Sequence, residues 1–355
     1  MRRSDNVTLA LVGGLSLIVI VVTLYLSMPR EEPVTGIGVN FTEVQLSEFR
    51  VKFLGWVVDY DPFSVNDFSS HADAFTWVSP TGLYIDEEYK LGGSPAEVQL
   101  RARNESVMVL PLVANKDFNR AVVHRVLSDT QVRDSVIDQI DRFVGGGGYD
   151  GINIDFEDVS EGDRDLLTQF MQLLADRLEP KGKLVTIDVP AKTSDTTIGW
   201  AGPFDYRALG RICDLVILMV YDYHWSGGTP GAISPLDWFE DVIRYSSLVI
   251  PASKLVIGIP FYGYDWPSGG TASGVSFRQA LDIAAQVKRP VRFSNGSGEY
   301  TFTYSKDGVN HEVWFQGAKS TELRLQVMQR YGLDQVAAWC IGQEDPRTWE
   351  VVART

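Results

Sequence analysis

The stretch YDGINIDFE, residues 149–157, decides the fold of this 355-residue chain. Side chains alternate between the two faces of a β-strand, so the two isoleucines share one face with Phe156, while Asn153, Asp155 and Glu157 share the other. An edge strand with one solvated face gives the same alternation. Here a Gly-rich entry and a helical segment on each side favour a central strand, whose polar face would line an enclosed interior. Buried carboxylates are costly, so this polar face predicts a functional site.

Short apolar runs with the length of strands recur along the chain. They are Val51–Val58, Ala72–Val78, Val107–Val113, Gly151–Phe156, Leu184–Val189, Leu215–Val220, Leu255–Phe261 and Val336–Ile341. Amphipathic segments with helical period lie between several of them, at residues 130–144, 163–178, 235–248 and 320–331. Apolar strands that alternate with such helices indicate a parallel sheet covered by helices. Eight strand–helix units in about 300 residues predict an α/β fold of the (β/α)8 TIM-barrel type.

One connection is too long for a simple barrel. About 75 residues separate the seventh predicted strand from the eighth, and they contain YTFTY at 300–304 and EVWF at 312–315 around Asp307-Gly308. Two such runs joined by a turn predict a β-hairpin. We therefore expect a small α+β insertion at about residues 265–318, at the end of the barrel that carries the functional loops.

The N-terminal segment predicts a membrane anchor. Residues 7–26 contain no charge, and about 20 apolar residues span the hydrocarbon core of a bilayer. Arg2 and Arg3 precede them, so the positive-inside rule predicts a cytoplasmic tail at 1–6, a single-pass signal anchor at 7–26, a tether at 27–48 and a catalytic domain at 49–355 outside the cell. A cleaved signal peptide, which would give a secreted protein, is the alternative. Its usual apolar core of about 7–15 residues is shorter than this one.

Composition excludes several classes of partner and site. The chain carries 46 acidic and 32 basic residues, for a net charge of −14. A protein that binds a phosphate backbone needs clustered Lys and Arg, so no nucleic-acid partner is expected. The four histidines show no metal-ligand spacing, and we expect no catalytic metal. Cys213 and Cys340 lie in apolar runs, which favours two buried thiols over a disulfide.

The two carboxyl groups of the central strand also constrain the chemistry. Asp155 and Glu157 would lie about 6–7 Å apart along one face of one strand. Ordinary retaining glycosidases place two carboxyl groups about 5–5.5 Å apart on opposite sides of the bond that breaks. Two carboxyls on the same side instead suit a proton donor and a helper. The nucleophile would then come from elsewhere, as in substrate-assisted enzymes that use the N-acetyl group of the sugar.

Three motifs resemble glycoside hydrolase family 18, the chitinase-like TIM barrels. The first is DGxNxDxE at residues 150–157, which resembles the DGxDxDxE signature of that family. The second is MVYDYH at 219–224, which is similar to the MxYD segment of the sixth strand, and the third is Ala338-Trp339 in the eighth strand. The resemblance covers roughly residues 51–351. The runs IPFYGYDW, HEVWFQGAKS and IGQEDPRTW are most similar to the branch of spore-cortex and cell-wall N-acetylglucosaminidases.

The resemblance implies a role for each matching residue. Glu157 would be the general acid and base, Asp155 would orient the acetamido group of the substrate, and Tyr221 would hold its carbonyl oxygen. The substrate-binding residues would be Asn153, Asp150, Asp222 and Trp339. The implied partner is a glycan that contains N-acetylglucosamine, and no cofactor is implied.

The chain departs from the signature at one position. Asn153 stands where many chitinases have Asp, so a possible proton partner of Asp155 is lost. We therefore expect Asp155 to stay ionised and hydrogen-bonded to Asn153. The wall-lytic branch often has Asn at this position, which favours a peptidoglycan-type substrate over chitin. A non-catalytic glycan-binding barrel is the remaining alternative, and the presence of Glu157 argues against it.

Overall fold

The computed structural model describes residues 50–355. The predicted cytoplasmic tail, transmembrane anchor at 7–26 and tether at 27–48 lie outside the described residues. Within the described part, no helix combines the length and the apolar character that crossing a bilayer requires.

The strands follow one another with few long interruptions. They are β1 Lys52–Val57, β2 Trp77–Pro80, β3 Leu83–Ile85, β4 Leu91–Gly92, β5 Met108–Val109, β6 Leu112–Asn115, β7 Gly151–Asp155, β8 Leu184–Pro190, β9 Leu215–Met219, β10 Leu255–Pro260, β11 Tyr262–Pro267, β12 Ser273–Ser276, β13 Arg292–Ser294, β14 Glu299–Lys306, β15 Val309–Phe315 and β16 Gln335–Trp339.

Helices fill most of the connections between the parallel strands. They are α1 Pro62–Ser70, α2 Ala96–Glu105, α3 Arg120–Ser128, α4 Thr130–Gly147, α5 Arg164–Leu178, α6 Tyr206–Ile212, α7 Leu236–Ser246, α8 Phe277–Gln286, α9 Ala318–Arg330 and α10 Thr348–Ala353. Local sequence explains their ends. The Asp129 side chain accepts hydrogen bonds from two backbone N–H groups at the start of α4. That helix continues through Gly147 and ends at Gly148, whose φ of 67° lies in the left-handed region.

The larger sheet curls into a TIM-barrel-like fold. Its strand order is β4-β3-β6-β7-β8-β9-β10-β16-β1-β2-β5. Only two residues, Leu110 and Pro111, separate β5 from β6, so the end of the sheet at β5 returns to β6. Backbone hydrogen bonds from Asp150 N to Val109 O (3.1 Å) and from Asn153 N to Pro111 O (2.9 Å) join this segment to β7.

Two predicted strands differ from the observed ones for clear reasons. The second begins at Trp77, because residues 72–74 form a 3-10 turn. The third, predicted over 107–113, divides into β5 and β6 at Leu110-Pro111. Proline lacks the N–H group that a continuous ladder needs, so the break falls there.

Apolar side chains form two layers around the strands. The outer layer lies between strands and helices and contains Ile152, Ile154 and Phe156, as the alternation predicts. Phe156 contacts Phe170 of α5 with ring centroids 5.3 Å apart. The inner layer fills the barrel and includes Trp56, Trp77 and Leu112. Cys213 and Cys340 are free, buried thiols, which confirms the prediction.

The predicted insertion forms a second, antiparallel sheet with one helix. Its strand order is β12-β11-β15-β14-β13, and α8 connects β12 to β13. β14 and β15 pair as the predicted hairpin. The sheet begins at Tyr262, immediately after β10, so the insertion starts a few residues earlier than expected. It therefore lies at the carboxyl end of the barrel strands.

Candidate active site

Strand β7 and the residues after it carry the two central carboxyl groups. Asn153 and Asp155 alternate with the outer-layer isoleucines and so point into the barrel. Glu157 lies two residues beyond the end of β7. The Asn115 side chain at the end of β6 accepts a hydrogen bond from Glu157 N (2.9 Å) and donates one to Glu157 O (3.0 Å). These two bonds fix the backbone that presents the Glu157 carboxyl, and nothing in the signature predicts Asn115.

Asn153 does not bind Asp155, which corrects the predicted hydrogen bond. Its amide nitrogen donates to Ser79 Oγ (3.2 Å) and to Asp188 Oδ2 (2.8 Å), and its oxygen accepts from Thr186 Oγ1 (2.7 Å). The Asn153 side chain is fully buried. All of these partners are protein side chains that surround Asn153 in the barrel interior, and its role as a substrate-binding residue stays a prediction.

A carboxyl group that the sequence analysis missed lies beside Asp155. β7 and β8 pair in parallel with Asn153 opposite Thr186 and Ile154 opposite Ile187. The next residues in this register are Asp155 and Asp188, on strands about 4.8 Å apart. Asp188 is buried, and its Oδ2 accepts hydrogen bonds from Asn153 and from Trp56 Nε1 (3.1 Å). Its Oδ1 atom and Asp155 Oδ1 are both buried without a hydrogen-bond partner among residues 50–355.

Burial shifts the pKa values of this carboxyl cluster upward. Desolvation raises the pKa of Asp155 to about 7. The pKa of Glu157 lies well above its usual value because of desolvation first and then repulsion by Asp155 and Asp222. Desolvation and the neighbouring Asp155 also raise the pKa of Asp188, against the hydrogen bonds from Asn153 and Trp56. Protonated carboxyl groups at neutral pH are what general acid catalysis requires.

Aromatic rings form the floor next to these carboxyl groups. Tyr221 follows β9, and its ring lies edge-on to Trp56 with centroids 6.4 Å apart. Trp339, the last residue of β16, contacts Trp56 from another side at 6.2 Å. Both Tyr221 and Trp339 are partly exposed, so their free faces can contact a ligand. Two of the predicted site residues, Tyr221 and Trp339, thus lie on the same aromatic floor, in contact with Trp56.

The insertion contacts the site through hydrogen bonds to Asp222, which lies in the loop after β9. This residue follows Tyr221 with a φ of 59°. Its Oδ1 accepts hydrogen bonds from Tyr262 OH (2.5 Å) and Tyr264 OH (3.0 Å) of β11. The sequence analysis predicted Asp222 but neither tyrosine, although both occur in the IPFYGYDW run.

A buried ion pair holds the loop that carries Tyr221 and Asp222. Glu299 of β14 accepts from Ile233 N (2.8 Å) and Ser234 N (2.6 Å), and its other partner is Arg324 of α9 at 3.0 Å. Ser234 Oγ in turn donates to Val220 O at 2.6 Å. The insertion and α9 thereby fix the start of the loop next to the carboxyl cluster.

Asp150, predicted as a substrate-binding residue, lies apart from the carboxyl cluster. It precedes β7, at the opposite end of the strand from Glu157. Its Oδ2 accepts from Val109 N at 2.8 Å and thereby ties β5 to β7. In residues 50–355, no three His, Cys, Asp or Glu side chains are grouped so that they could hold a metal ion.

Comparisons with known proteins agree with the fold and the site. The family model "Glycosyl hydrolases family 18" matches residues 68–344, more than half of the chain. The Bacillus subtilis protein YdhD is 32% identical over 316 residues, which cover 85% of this chain and 74% of YdhD. The spore cortex-lytic enzyme SleL of Bacillus megaterium aligns with a TM-score of 0.80 and 26% identity, over 87% of this chain and 75% of SleL. A chitinase of Chromobacterium violaceum aligns with a TM-score of 0.80 and 27% identity, over 86% of this chain and 98% of the chitinase.

The fold, the carboxyl groups at the end of β7 and the match to the family model identify the chain as a glycosidase. The chain belongs to glycoside hydrolase family 18.

Because the pKa of Glu157 is raised in the folded state, replacing Glu157 by a neutral residue should stabilise the fold at neutral pH. Its folded-state pKa lies above the unfolded value, so its contribution favours folding at low pH and is lost as pH rises through the folded pKa. We expect Glu157→Gln to raise the free energy of unfolding at neutral pH by more than about 1 kcal/mol. The gain should disappear below about pH 4, where Glu is protonated in both states. Urea denaturation over a pH series measures it.

Asp134→Asn is the matched control for charge. Asp134 lies on the exposed side of α4 and pairs with Arg133, so this variant should show no such gain. Equal pH dependence of stability in wild type and Glu157→Gln would contradict the prediction.

Proposed function

We propose that the chain hydrolyses β-1,4 linkages of N-acetylglucosamine-containing glycans with retention, by a substrate-assisted mechanism, and that peptidoglycan is its substrate. The observation that carries this proposal is the arrangement of Asp155 and Glu157 along one interior face of β7, with Tyr221 beside them. Carboxyls on one side of the sugar leave the opposite side without an enzyme nucleophile, and the substrate's N-acetyl group supplies it.

Glu157 acts first as general acid. Its raised pKa favours the protonated form, so it can protonate the glycosidic oxygen as the bond breaks. In the second step the resulting carboxylate takes a proton from water, which attacks the anomeric carbon as the bond from that carbon to the acetamido oxygen breaks. The hydrogen bonds from Asn115 hold the Glu157 backbone in one orientation through both steps.

Asp155 and Tyr221 act on the acetamido group. The carbonyl oxygen of that group attacks the anomeric carbon and forms an oxazolinium ion, whose nitrogen becomes positively charged. An ionised Asp155 stabilises that charge through a hydrogen bond to the N–H group, and the Tyr221 hydroxyl orients the carbonyl oxygen. Trp339 provides the apolar floor under the sugar ring.

Asp222 is another carboxyl group that interacts with Glu157, and it is the alternative candidate for a direct nucleophile. Its Oδ1 already accepts hydrogen bonds from Tyr262 and Tyr264. Such bonds stabilise the carboxylate and weaken it as a nucleophile. This favours a role for Asp222 in substrate binding.

Two substrates have support, and peptidoglycan has more. The solved SleL structures carry the name of spore cortex-lytic enzymes, and Asn153 is the residue that the wall-lytic branch often has. Chitin is the second candidate because the chitinase of Chromobacterium violaceum aligns over 98% of its length. Both polymers present the N-acetyl group that the mechanism needs.

We expect Glu157→Gln to lower kcat on purified peptidoglycan by about 100-fold or more, because the amide cannot donate the proton. Binding of the glycan should remain, since the aromatic floor is unchanged. Mass analysis of the reducing-end products from peptidoglycan and from chitin oligomers measures the loss and identifies the substrate.

Asp134→Asn, on the exposed side of α4, again serves as the control and should stay within severalfold of wild type. Unchanged turnover in Glu157→Gln would overturn the role of Glu157. If products form from chitin oligomers and none form from peptidoglycan, the substrate is chitin and not peptidoglycan.

An N-acetylglucosamine-thiazoline should inhibit the enzyme competitively, because it mimics the oxazolinium ion. Steady-state inhibition measures this, and proton NMR of early products should show the β-anomer first. A sugar without the N-acetyl group is the control substrate. Its hydrolysis at a comparable rate would exclude substrate assistance.

We also propose that residues 7–26 anchor the enzyme in the cell membrane with the catalytic domain outside. In a bacterial expression host, the full chain should sediment with the membranes and require detergent for release. A double variant with Ile18→Arg and Ile20→Arg should lose this property, since each arginine at the centre of a membrane helix costs about 2.5–3.5 kcal/mol. Release of the unaltered chain by carbonate washing would contradict the anchor.

A further inference from the structure

Asp155 and Asp188 form a pair of buried carboxyl groups in register on neighbouring strands. The pairing of Ile154 with Ile187 places them side by side, and both side chains belong to the interior face. Their Oδ1 atoms are the two carboxyl oxygens of this pair that are buried without a hydrogen-bond partner in the described chain. Two carboxylates this close in a buried site cannot both remain ionised.

The hydrogen-bond partners of Asp188 indicate which of its oxygens carries a proton. Asp188 Oδ2 accepts two N–H groups, from Trp56 and Asn153, as the carbonyl oxygen of a neutral carboxylic acid can. The unpartnered Oδ1 is then the hydroxyl, and the unpartnered Asp155 Oδ1 beside it is the acceptor. One proton between these two atoms satisfies both of them and leaves a single negative charge on the pair.

We propose that Asp155 and Asp188 are a proton-sharing dyad in which Asp188 is a positioning residue that holds the proton and orients Asp155. Asn153 cannot share a proton, but its amide donates to Asp188 and thereby supports the neutral form. The dyad thus supplies from β8 the carboxyl that the chain lacks at position 153 of β7.

The role of the dyad in catalysis rests on the proposed function. The proton stays on Asp188 Oδ1 throughout, and no bond to it breaks. Asp155 therefore holds the full negative charge of the pair, facing the acetamido nitrogen, as the oxazolinium forms. The hydrogen bond from Asp188 fixes the orientation of the Asp155 carboxylate. The titratable groups that face Asp188 are Asp155 at the end of β7, Glu157 two residues after it, and Tyr221 after β9.

Carbon-13 NMR of aspartate carboxyl carbons tests the dyad without any activity measurement. The Glu157→Gln protein is used, because it removes one titrating neighbour and keeps both aspartates. The dyad predicts that the Asp155 signal titrates in two separate steps. Adding Asp188→Asn should leave one step, while adding Asp214→Asn should leave two. Asp214 is the control because it precedes β9 and its carboxylate binds Val185 N at the opposite end of β8 from Asp188.

The activity of two single variants tests whether the proton lies on Asp188. The amide of Asp188→Asn can accept from Trp56 and Asn153 and donate to Asp155, so it reproduces the neutral acid, and kcat should stay within about tenfold of wild type. Asp188→Ala removes the donor and should lower kcat by about 100-fold with little change in KM. Equal losses in both variants would show that an ionised Asp188 is needed and would overturn the proposal.

The outcomes separate this proposal from the proposed function. If the wild type hydrolyses no N-acetylglucosamine polymer, the proposed function fails, and the NMR titration still decides whether the dyad exists. If Asp188→Asn does not fold, the Glu157→Gln protein alone carries the test. A single titration step for Asp155 in that protein would overturn the dyad.

Discussion

The constraint on which the site depends is that carboxyl groups inside a barrel must be neutral or hydrogen-bonded, because water is scarce there. Asp155 and Asp188 lie side by side in this interior, and the residues around them are arranged to meet that demand. Asn153, Trp56, Thr186 and Ser79 come from four different strands or strand ends and form one hydrogen-bonded network below the carboxyls. Burial of these carboxyl groups would normally destabilise the fold. In this site it raises their pKa values, as acid catalysis requires.

The upper part of the site is built differently, from loops and the insertion. Asn115 fixes the backbone of Glu157, and Tyr262 and Tyr264 hold Asp222. The loop between Val220 and Ser234 is held by Glu299, itself paired with Arg324. An isolated buried glutamate would be costly, but here two backbone N–H groups and one guanidinium satisfy it. The insertion therefore does more than raise a wall, because it positions the segment on which Tyr221 lies.

Much of the fold followed from local patterns, and the site followed only in part. Alternation in residues 149–157 gave the correct faces of β7, and apolar runs located most strands. Pro111 marks the break between β5 and β6, since it has no N–H group for a continuous ladder. Asp150 matched a family motif, yet its carboxylate binds Val109 N, a contact that depends on how two distant segments meet. Asp188 was missed because the register between β7 and β8 decides its position, and no single segment contains that information.

The same register explains why Asn153 and Asp188 belong together. An aspartate at position 153 would place a third carboxyl group against Asp188, where the amide nitrogen now donates at 2.8 Å. That arrangement would need one more proton or a different partner at position 188. An asparagine at 153 with an apolar residue at 188 would instead leave Trp56 Nε1 and the Asn153 amide without their acceptor. The departure from the family signature on β7 is therefore matched on β8 by an acceptor at position 188, which binds both Trp56 Nε1 and the Asn153 amide.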